Sequence, residues 1–508
     1  DNPHRRPSHI DQARAQAAIN LSNALPPTLD EPATWPAWRT LLPHIEALAD
    51  HAAPDADTDT IALLLDWVGV FLTDQGLPTR GIIYLRRSVT AAERLLGENH
   101  PDTLKSRNNL AHAYEKAGDL ARAIPLFEQN LADHLRVLGE DHPHALISRS
   151  NLAIAYQGAG DPARAVPLHE QTLADRLRVL GEDHPDTLSS RDSLARAYRE
   201  AGDPARAVPL HEQTLADRLR VLGEDHPDTL SSRDNLAVAC QEVGDLARVI
   251  PLFEQTLADR LRVLGEDHPD TLSSRNNLAL AYRAAGDLPR AIPLHEQNLT
   301  DHLRVLGEDH PDTLKSRNNL ALAYREAGDP ARAVPLHEQT LADRLRVLGE
   351  DHPDTLKSRN SLAVAYQDAG NLPRAIPLFE QTLADRLRVL GEDHPDTLKS
   401  RNNLAGAYRA AGDLPRAIPL HEQNLTDHLR VLGEDHPDTL ISRDNLALAY
   451  WDVGDLARAI PLFEQNLADR LRVLGEDHPD TLKSRNNLAF ARQQGELRAA
   501  DGSDQPDW

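Results

Sequence analysis

The 508-residue sequence contains no methionine and begins at Asp1, which predicts a piece excised or trimmed from a longer translation product. Its single cysteine, Cys240, excludes a disulfide scaffold and any zinc or iron–sulfur centre built from several thiolates. The same scarcity fits a reducing, cytoplasmic setting. Aromatic residues make up only 4% of the chain, so a core has to be assembled from Ala, Leu, Ile and Val. No apolar run approaches the roughly 18–20 residues that cross a bilayer, and Asp1 to Pro7 is too polar for a secretory leader. Positive charge is in deficit: 55 Lys and Arg against 79 Asp and Glu leave a formal charge of −24. That balance argues against a nucleic-acid backbone or an anionic membrane as partner.

What the sequence has in abundance is repetition. Gly-Glu-(Asp/Asn)-His-Pro begins at Gly97 and Gly139 and recurs to Gly475, always in steps of 42 residues without insertion. A fixed period of this size means a stack of supersecondary units, not three or four independent domains.

One unit reads as two helices. Pro101 suits the first helical position, with Asp102 and Thr103 in the first turn. Leu104, Ala111 and Tyr114 form an apolar face flanked by Leu110, and the helix runs to Lys116. Gly118 is expected in the left-handed conformation that ends a helix, and Asp119 caps the next one. The second helix runs from Leu120 to Leu138 with Ala123, Phe127, Leu131 and Leu138 inward, and Gly139 closes it. Pro125, inside it, predicts a structural bend. Short connections make the pair an antiparallel hairpin.

The chain then divides into a worn helical hairpin over 1–59, a second worn repeat over 60–102 and nine full repeats over 103–480. A capping helix over 481–496 and a polar, disordered tail over 497–508 follow. Arg492 replaces the core Tyr in the last helix, as a solvent-facing cap requires. The expected fold is an all-α, right-handed superhelical solenoid of 23 helices.

Asn109-Leu110-Ala111-x-Ala113-Tyr114, then Gly118-Asp119, Ala123 and Phe127, resembles the tetratricopeptide repeat. The 42-residue length, the Pro after Ala-Ile and Leu-Gly-Glu-Asp-His-Pro resemble its kinesin-light-chain subtype. Arg107 stands where the repeat usually has Trp, and Asn130 or Thr where it usually has Ala, which leaves local packing open. The stretch His4-Arg5-Arg6-Pro7 to Trp35-Pro36-Ala37-Trp38-Arg39-Thr40-Leu41-Leu42-Pro43 resembles the region after the nucleotide-binding module in actinobacterial NB-ARC–tetratricopeptide proteins, ATPases of the STAND class. That resemblance implies a sensor region with an ATPase module upstream. No Gly-x-x-x-x-Gly-Lys-(Ser/Thr) loop occurs in the sequence itself.

Lys105, Asn109, His112 and Lys116, spaced 4, 3 and 4, line the first helix opposite its apolar face. In the resembled family this face lines a concave groove where Asn side chains hold extended peptide. An amide offers donor and acceptor together, so a ladder of amides can hold a main chain without reading its sequence. The ladder here is Asn109, Asn151, Asn235, Asn277, Asn319, Asn403, Asn445 and Asn487, with Ser at 193 and 361. Variation between repeats concentrates on this face. Leu280, Leu322, Leu448 and Trp451 are expected there as exposed apolar anchors, and Arg199, Arg283, Arg325 and Arg409 as partners for acidic groups of a ligand.

Three further features read as structural. Asp141 and His142 occupy a helix cap, and equivalent loops stand a whole hairpin apart, roughly 16–20 Å, far beyond a shared metal's reach. Phe127, His169, His211, Phe253, His295, His337, Phe379, His421 and Phe463 alternate at one packing position, where each His is expected to make one hydrogen bond. Cys240 replaces a core Tyr. No catalytic residue, metal site or cofactor is assigned. The leading expectation is a non-catalytic scaffold that takes a protein or extended peptide in its groove. A self-assembling solenoid and a hydrolase or metal enzyme are the other classes, the former opposed by the polar cap and the net charge, the latter unsupported by any nucleophile–base pair.

Overall fold

A computed structural model describes residues 7–26, 28, 34–51 and 53–500; the proposed tail at 501–508 and the His4-Arg5-Arg6 stretch lie outside the described residues. Among the described residues there are 23 α-helices, one short 3₁₀ turn at Pro54–Ala56 and no strand. The chain divides into two compact units, Asp1–Asp259 and Arg260–Trp508. Within each, consecutive helices pack as antiparallel hairpins.

The first unit opens with α1 (Pro7–Ala24), α2 (Trp35–Asp50), α3 (Asp59–Asp74) and α4 (Pro78–Leu96). Ala18, Ile45, Leu64, Leu65 and Val68 form their core. Trp38, fully buried, stacks on Trp67 and Phe71 with ring centroids 6.0 and 5.5 Å apart. The regular pattern starts with α5 (Pro101–Lys116) and α6 (Leu120–Leu138) and returns every 42 residues to α21 (Pro437–Val453) and α22 (Leu456–Leu474).

The helix ends follow from local chemistry. His100 Nδ1 accepts the N–H of Asp102 at 3.3 Å, while Pro101 has no N–H to satisfy. At the other end Gly118, at φ +77°, donates to the Glu115 carbonyl, and Asp119 N–H reaches back to the Tyr114 carbonyl at 2.8 Å. This double bond pattern closes the helix. Asp119 then caps α6 by accepting from Arg122 N–H. Gly139, at φ 86° and ψ 168°, turns the chain toward the next repeat in a region that only glycine occupies readily. Pro125 lies within a continuous α-helix and costs it the one ladder bond that its missing N–H would make.

Leu110, Ala111, Tyr114, Ala123, Phe127 and Leu131 are buried together with Leu152 and Tyr156 of the following repeat. In the second unit Leu362, Ala363, Tyr366, Ala375, Phe379 and Leu383 do the same against Leu404 and Tyr408. Each hairpin therefore has half its core in its neighbour, which is why one repeat could not fold alone.

Two local expectations change. Arg107, in the place of the usual Trp, is 1% exposed and pairs with Asp133 of its own hairpin at 2.7 Å. Equivalent pairs recur as Arg149–Asp175, Arg275–Asp301 and Arg317–Asp343, each at 2.5 Å. A guanidinium thus fills the indole's space, its charge matched by a carboxylate. The last helix, α23 (Pro479–Ala500), is longer than the sequence predicts. Where other repeats stop on Gly-Asp, Glu496 and Leu497 stand, so nothing ends it there.

Candidate functional site

The variable face of the first helices is built by register. Residues 4, 3 and 4 apart stack along one side of a helix, and each hairpin sets the next first helix beside the last. This places residue i near i+43, and the candidate amides use that neighbour. Nδ2 of Asn109 donates to Asp66 at 3.0 Å, that of Asn151 to Asn108 at 3.0 Å and that of Asn235 to Asp192 at 2.9 Å. In the second unit Asn319 donates to Asn276 at 2.9 Å, Asn403 to Asn360 at 3.0 Å and Asn445 to Asn402 at 2.9 Å. Asn277 holds the same helical position, half-buried. At these six bonded positions the ladder is thus part of the joint between repeats, with one of the amide's two N–H groups committed.

The four arginines are joined in the same direction. Arg199 grips Glu242 through two bonds, at 2.6 and 2.8 Å. Arg283 pairs with Glu326 and Arg325 with Asp368, both at 3.4 Å, and Arg409 pairs with Asp452. All four are half-buried, so an acidic ligand would compete with a carboxylate already in place.

Leu280, Leu322, Leu448 and Trp451 are half-buried, not exposed as their sequence pattern suggests. Trp451 meets Phe490 edge-on at 5.7 Å, and with Leu448, Phe463, Asn486 and Asn487 they line a cleft of about 230 Å³. Two repeats earlier, Gly406 leaves open space, and a cleft of about 280 Å³ lies among Val364, Gln367, Asn403, Arg409 and His421.

The second-helix histidines are buried packing residues, but their hydrogen bonding differs from expectation. His169 Nε2 meets Gln157 at 2.7 Å, and His211 Nδ1 meets Asp192 at 2.9 Å. In His295, His337 and His421 neither ring nitrogen has a protein partner. Burial, reinforced by Arg283, Arg325 and Arg409 respectively, drives each of these three down to about 4. Burial also raises the Cys240 thiol, leaving it protonated and unreactive.

The Glu-Asp-His-Pro loop is a clamp. Asp141 takes two bonds from Arg178 of the next repeat, and Arg178 also bonds Asp175, the partner of buried Arg149. Sequence reasoning placed Asp141 at a cap but missed this chain of charges. The signal available was the unvarying Arg149 and Asp175, 26 residues apart in every repeat. Among the described residues no three His, Cys, Asp or Glu side chains are grouped as metal ligands would be. No described helix is long and apolar enough to cross a membrane.

Comparison with known proteins gives these features a family. No curated protein matches the sequence. A crystal structure of nearly identical tetratricopeptide-like repeats of a putative kinesin light chain from Podosopora anserina is 37% identical, over 40% of this chain and 97% of that one, with a TM-score of 0.38. RapI in its apo form is 11% identical over 73% of this chain and 98% of its own, with a TM-score of 0.52, a likeness of fold. A STAND protein with a tetratricopeptide repeat sensor from Pyrococcus horikoshii is 15% identical over 72% of this chain and 52% of its own, with a TM-score of 0.48. The tetratricopeptide repeat pattern matches residues 59–132, 105–178, 334–388, 360–426, 402–468 and 444–501, and a second form of it matches 187–228, 229–270, 271–312 and 313–354. The chain belongs to the tetratricopeptide repeat family.

Proposed function

We propose that the chain is a non-catalytic scaffold that holds an extended segment of a partner protein along the variable face of its first helices. One observation carries this reading. The helix ends, caps and Arg–Asp pairs repeat almost unchanged, whereas the position of His112 becomes Ile154, Arg196, Val238, Leu280, Leu322, Val364, Gly406, Leu448 and Phe490. Packing needs dictate the first set, and a ligand surface accounts for the second. Asn109, Asn151, Asn235, Asn277, Asn319, Asn403 and Asn445 offer the partner's main chain a carbonyl and a second N–H. Leu280, Leu322, Leu448 and Trp451 accept its apolar side chains. Arg199, Arg283, Arg325 and Arg409 accept its acidic groups by exchange with their present carboxylates. By its resemblance to NB-ARC proteins of the STAND class, the scaffold serves as the sensor region of a cytoplasmic signalling ATPase whose nucleotide module lies upstream.

The test exchanges face residues for those of other repeats, which the fold already accommodates. Trp451→Gln, with the residue found at 157, 241 and 367, together with Leu448→Val, is expected to weaken partner capture by about 30-fold, the scale of losing an aromatic anchor. Unchanged capture with unchanged melting contradicts the reading.

Self-association is a second reading, favoured by a recurrent feature of the second helices. Leu177 and Val179, and their equivalents to Leu471 and Val473, stand 38–41% exposed in repeat after repeat. Sedimentation against concentration separates the two: a scaffold stays monomeric, whereas a self-assembling solenoid gains mass.

A further inference from the structure

Near the end of each second helix one position alternates between arginine and histidine. In six repeats it is Arg176, Arg218, Arg260, Arg344, Arg386 or Arg470, each 4–7% exposed. Every one of these guanidinium groups donates Nη1 to the next first helix in the same way. Arg176 reaches Ser190 Oγ at 2.6 Å and the Asp186 carbonyl at 3.0 Å; Arg344 reaches Ser358 Oγ at 2.7 Å and the Asp354 carbonyl at 3.0 Å. In the other three repeats the position is His134, His302 or His428. The shorter imidazole reaches the equivalent serine through Nδ1, at 2.8 Å for Ser148, 3.0 Å for Ser316 and 2.8 Å for Ser442.

All three histidines line clefts. The one at His134 measures about 430 Å³, that at His428 about 430 Å³ and that at His302 about 140 Å³. Of the acceptors that serve arginine elsewhere, the main-chain carbonyls of His144, Asp312 and Asp438 occupy the place of Asp186, whereas the serine hydroxyl is engaged by the histidine Nδ1 and, at Ser316 and Ser442, also accepts from Nδ2 of Asn298 and Asn424 at 3.2 and 3.1 Å. A second acceptor is added. In His302, Nδ1 lies 2.8 Å from the Asn298 carbonyl, which can only accept, so Nδ1 carries the proton and Nε2 keeps a lone pair. Beside each histidine, Asn130, Asn298 or Asn424 is 0–1% exposed with an unpartnered Oδ1. A buried acceptor without a donor is costly; it recurs at all three histidines and once beside an arginine, at Asn466. Pro101, Leu104, Val137, Leu138 and Ile147 give the cleft at His134 apolar walls.

We infer that these clefts are binding sites for a guanidinium group, the arginine side chain of a partner protein, which takes the place that the chain's own arginine fills in the other six repeats. The partner's methylene stem lies against the apolar walls. Its N–H groups meet the main-chain carbonyl and the histidine Nε2, joined in the cleft at His134 by Ser148 Oγ and Asn130 Oδ1, both of which line it. A fork of five N–H donors matches such an acceptor-rich floor, whereas the single ammonium of lysine does not. The molecule's net charge of −24 favours approach of a basic segment. The clefts at His302 and His428 share Asn277 and Asn403 with the variable face, but the groups that meet the guanidinium are others, so the inference does not rest on the variable-face reading.

The test is calorimetric titration of the full chain with the capped tripeptide Ala-Arg-Ala, with the same peptide carrying lysine, and with free agmatine. The variant is the triple substitution His134→Arg, His302→Arg and His428→Arg. Six repeats already accommodate Arg at this position, so the variant is expected to melt no lower than the parent. The arginine peptide is expected to bind the parent saturably, the lysine peptide at least 10-fold more weakly, and the triple variant is expected to lose binding. Absence of saturable binding to the parent, or unchanged binding to the variant, overturns the guanidinium site. Agmatine binding as tightly as the peptide overturns the assignment to a protein partner. None of these outcomes depends on capture along the variable face, which Trp451→Gln probes separately.

Discussion

Four histidines and four arginines show how closely single residues are matched inside this chain. Arg199, Arg283, Arg325 and Arg409 each accompany a histidine twelve positions on, at 211, 295, 337 and 421, whereas Glu115, Gln241, Gln367 and Trp451 accompany phenylalanine. Burial beside a cation holds the imidazole neutral, as the value of about 4 for His295, His337 and His421 implies. In the unfolded chain these groups titrate near 6.5, so between about 6.5 and 4 the unfolded state binds more protons. Stability is therefore fully present above 6.5 and falls as the pH falls through that window, by on the order of 1–3 kcal/mol per histidine. Replacing His295, His337 and His421 by Phe is expected to leave melting at pH 8 within a few degrees and to raise it clearly at pH 5. Melting curves at the two pH values check this; equal shifts at both would contradict it. The buried Arg–Asp pairs carry a different cost. Arg317→Ala removes a buried guanidinium and leaves half-buried Asp343 with Arg346 alone, and is expected to destabilise by about 2–3 kcal/mol, read from urea unfolding.

At the scale of helices and turns, the glycines after the second helices bear the closest geometric demand. Gly349 sits at φ 84° and ψ 171° with open space around its missing Cβ. Gly349→Ala therefore costs backbone strain alone, of order 1–3 kcal/mol, and is expected to lower the melting temperature without altering ligand binding. The amide ladder gives a contrasting case. Asn319→Ala and Asn403→Ala each remove a bond between first helices and are expected to cost roughly 0.5–1.5 kcal/mol, so they weaken the scaffold as well as any partner contact. Helix bounds were legible because Pro, His and Gly-Asp set them within a few residues of sequence. α5 and α6 follow the pattern closely, and α23 departs where its Gly-Asp is missing. Burial of Arg107 was not legible, since an arginine read alone belongs outside and its partner Asp133 lies on another helix. The candidate face was legible as positions, from the spacing along one helix. Its internal bonds were not, because Asn319 meets Asn276 only through the register of packed hairpins.

Across the whole molecule, a nearly uniform frame carries a non-uniform face. The frame is the tetratricopeptide hairpin, with its core shared between neighbours and its charges chained from loop to helix. The face changes at the positions of His112 and Glu115 and holds Leu322, Leu448 and Trp451 half-buried. The second helices present an alternative surface at Leu345 and Val347, 39 and 41% exposed. The most direct measurement is photo-crosslinking from single positions: a photoactivatable residue at 322 or 364 on the first helices, or at 345 or 387 on the second, with the chain incubated among proteins of its native cell. The account predicts that one partner is crosslinked from both first-helix positions and from neither second-helix position. Crosslinks confined to 345 and 387 would contradict it and place the contact on the opposite helices.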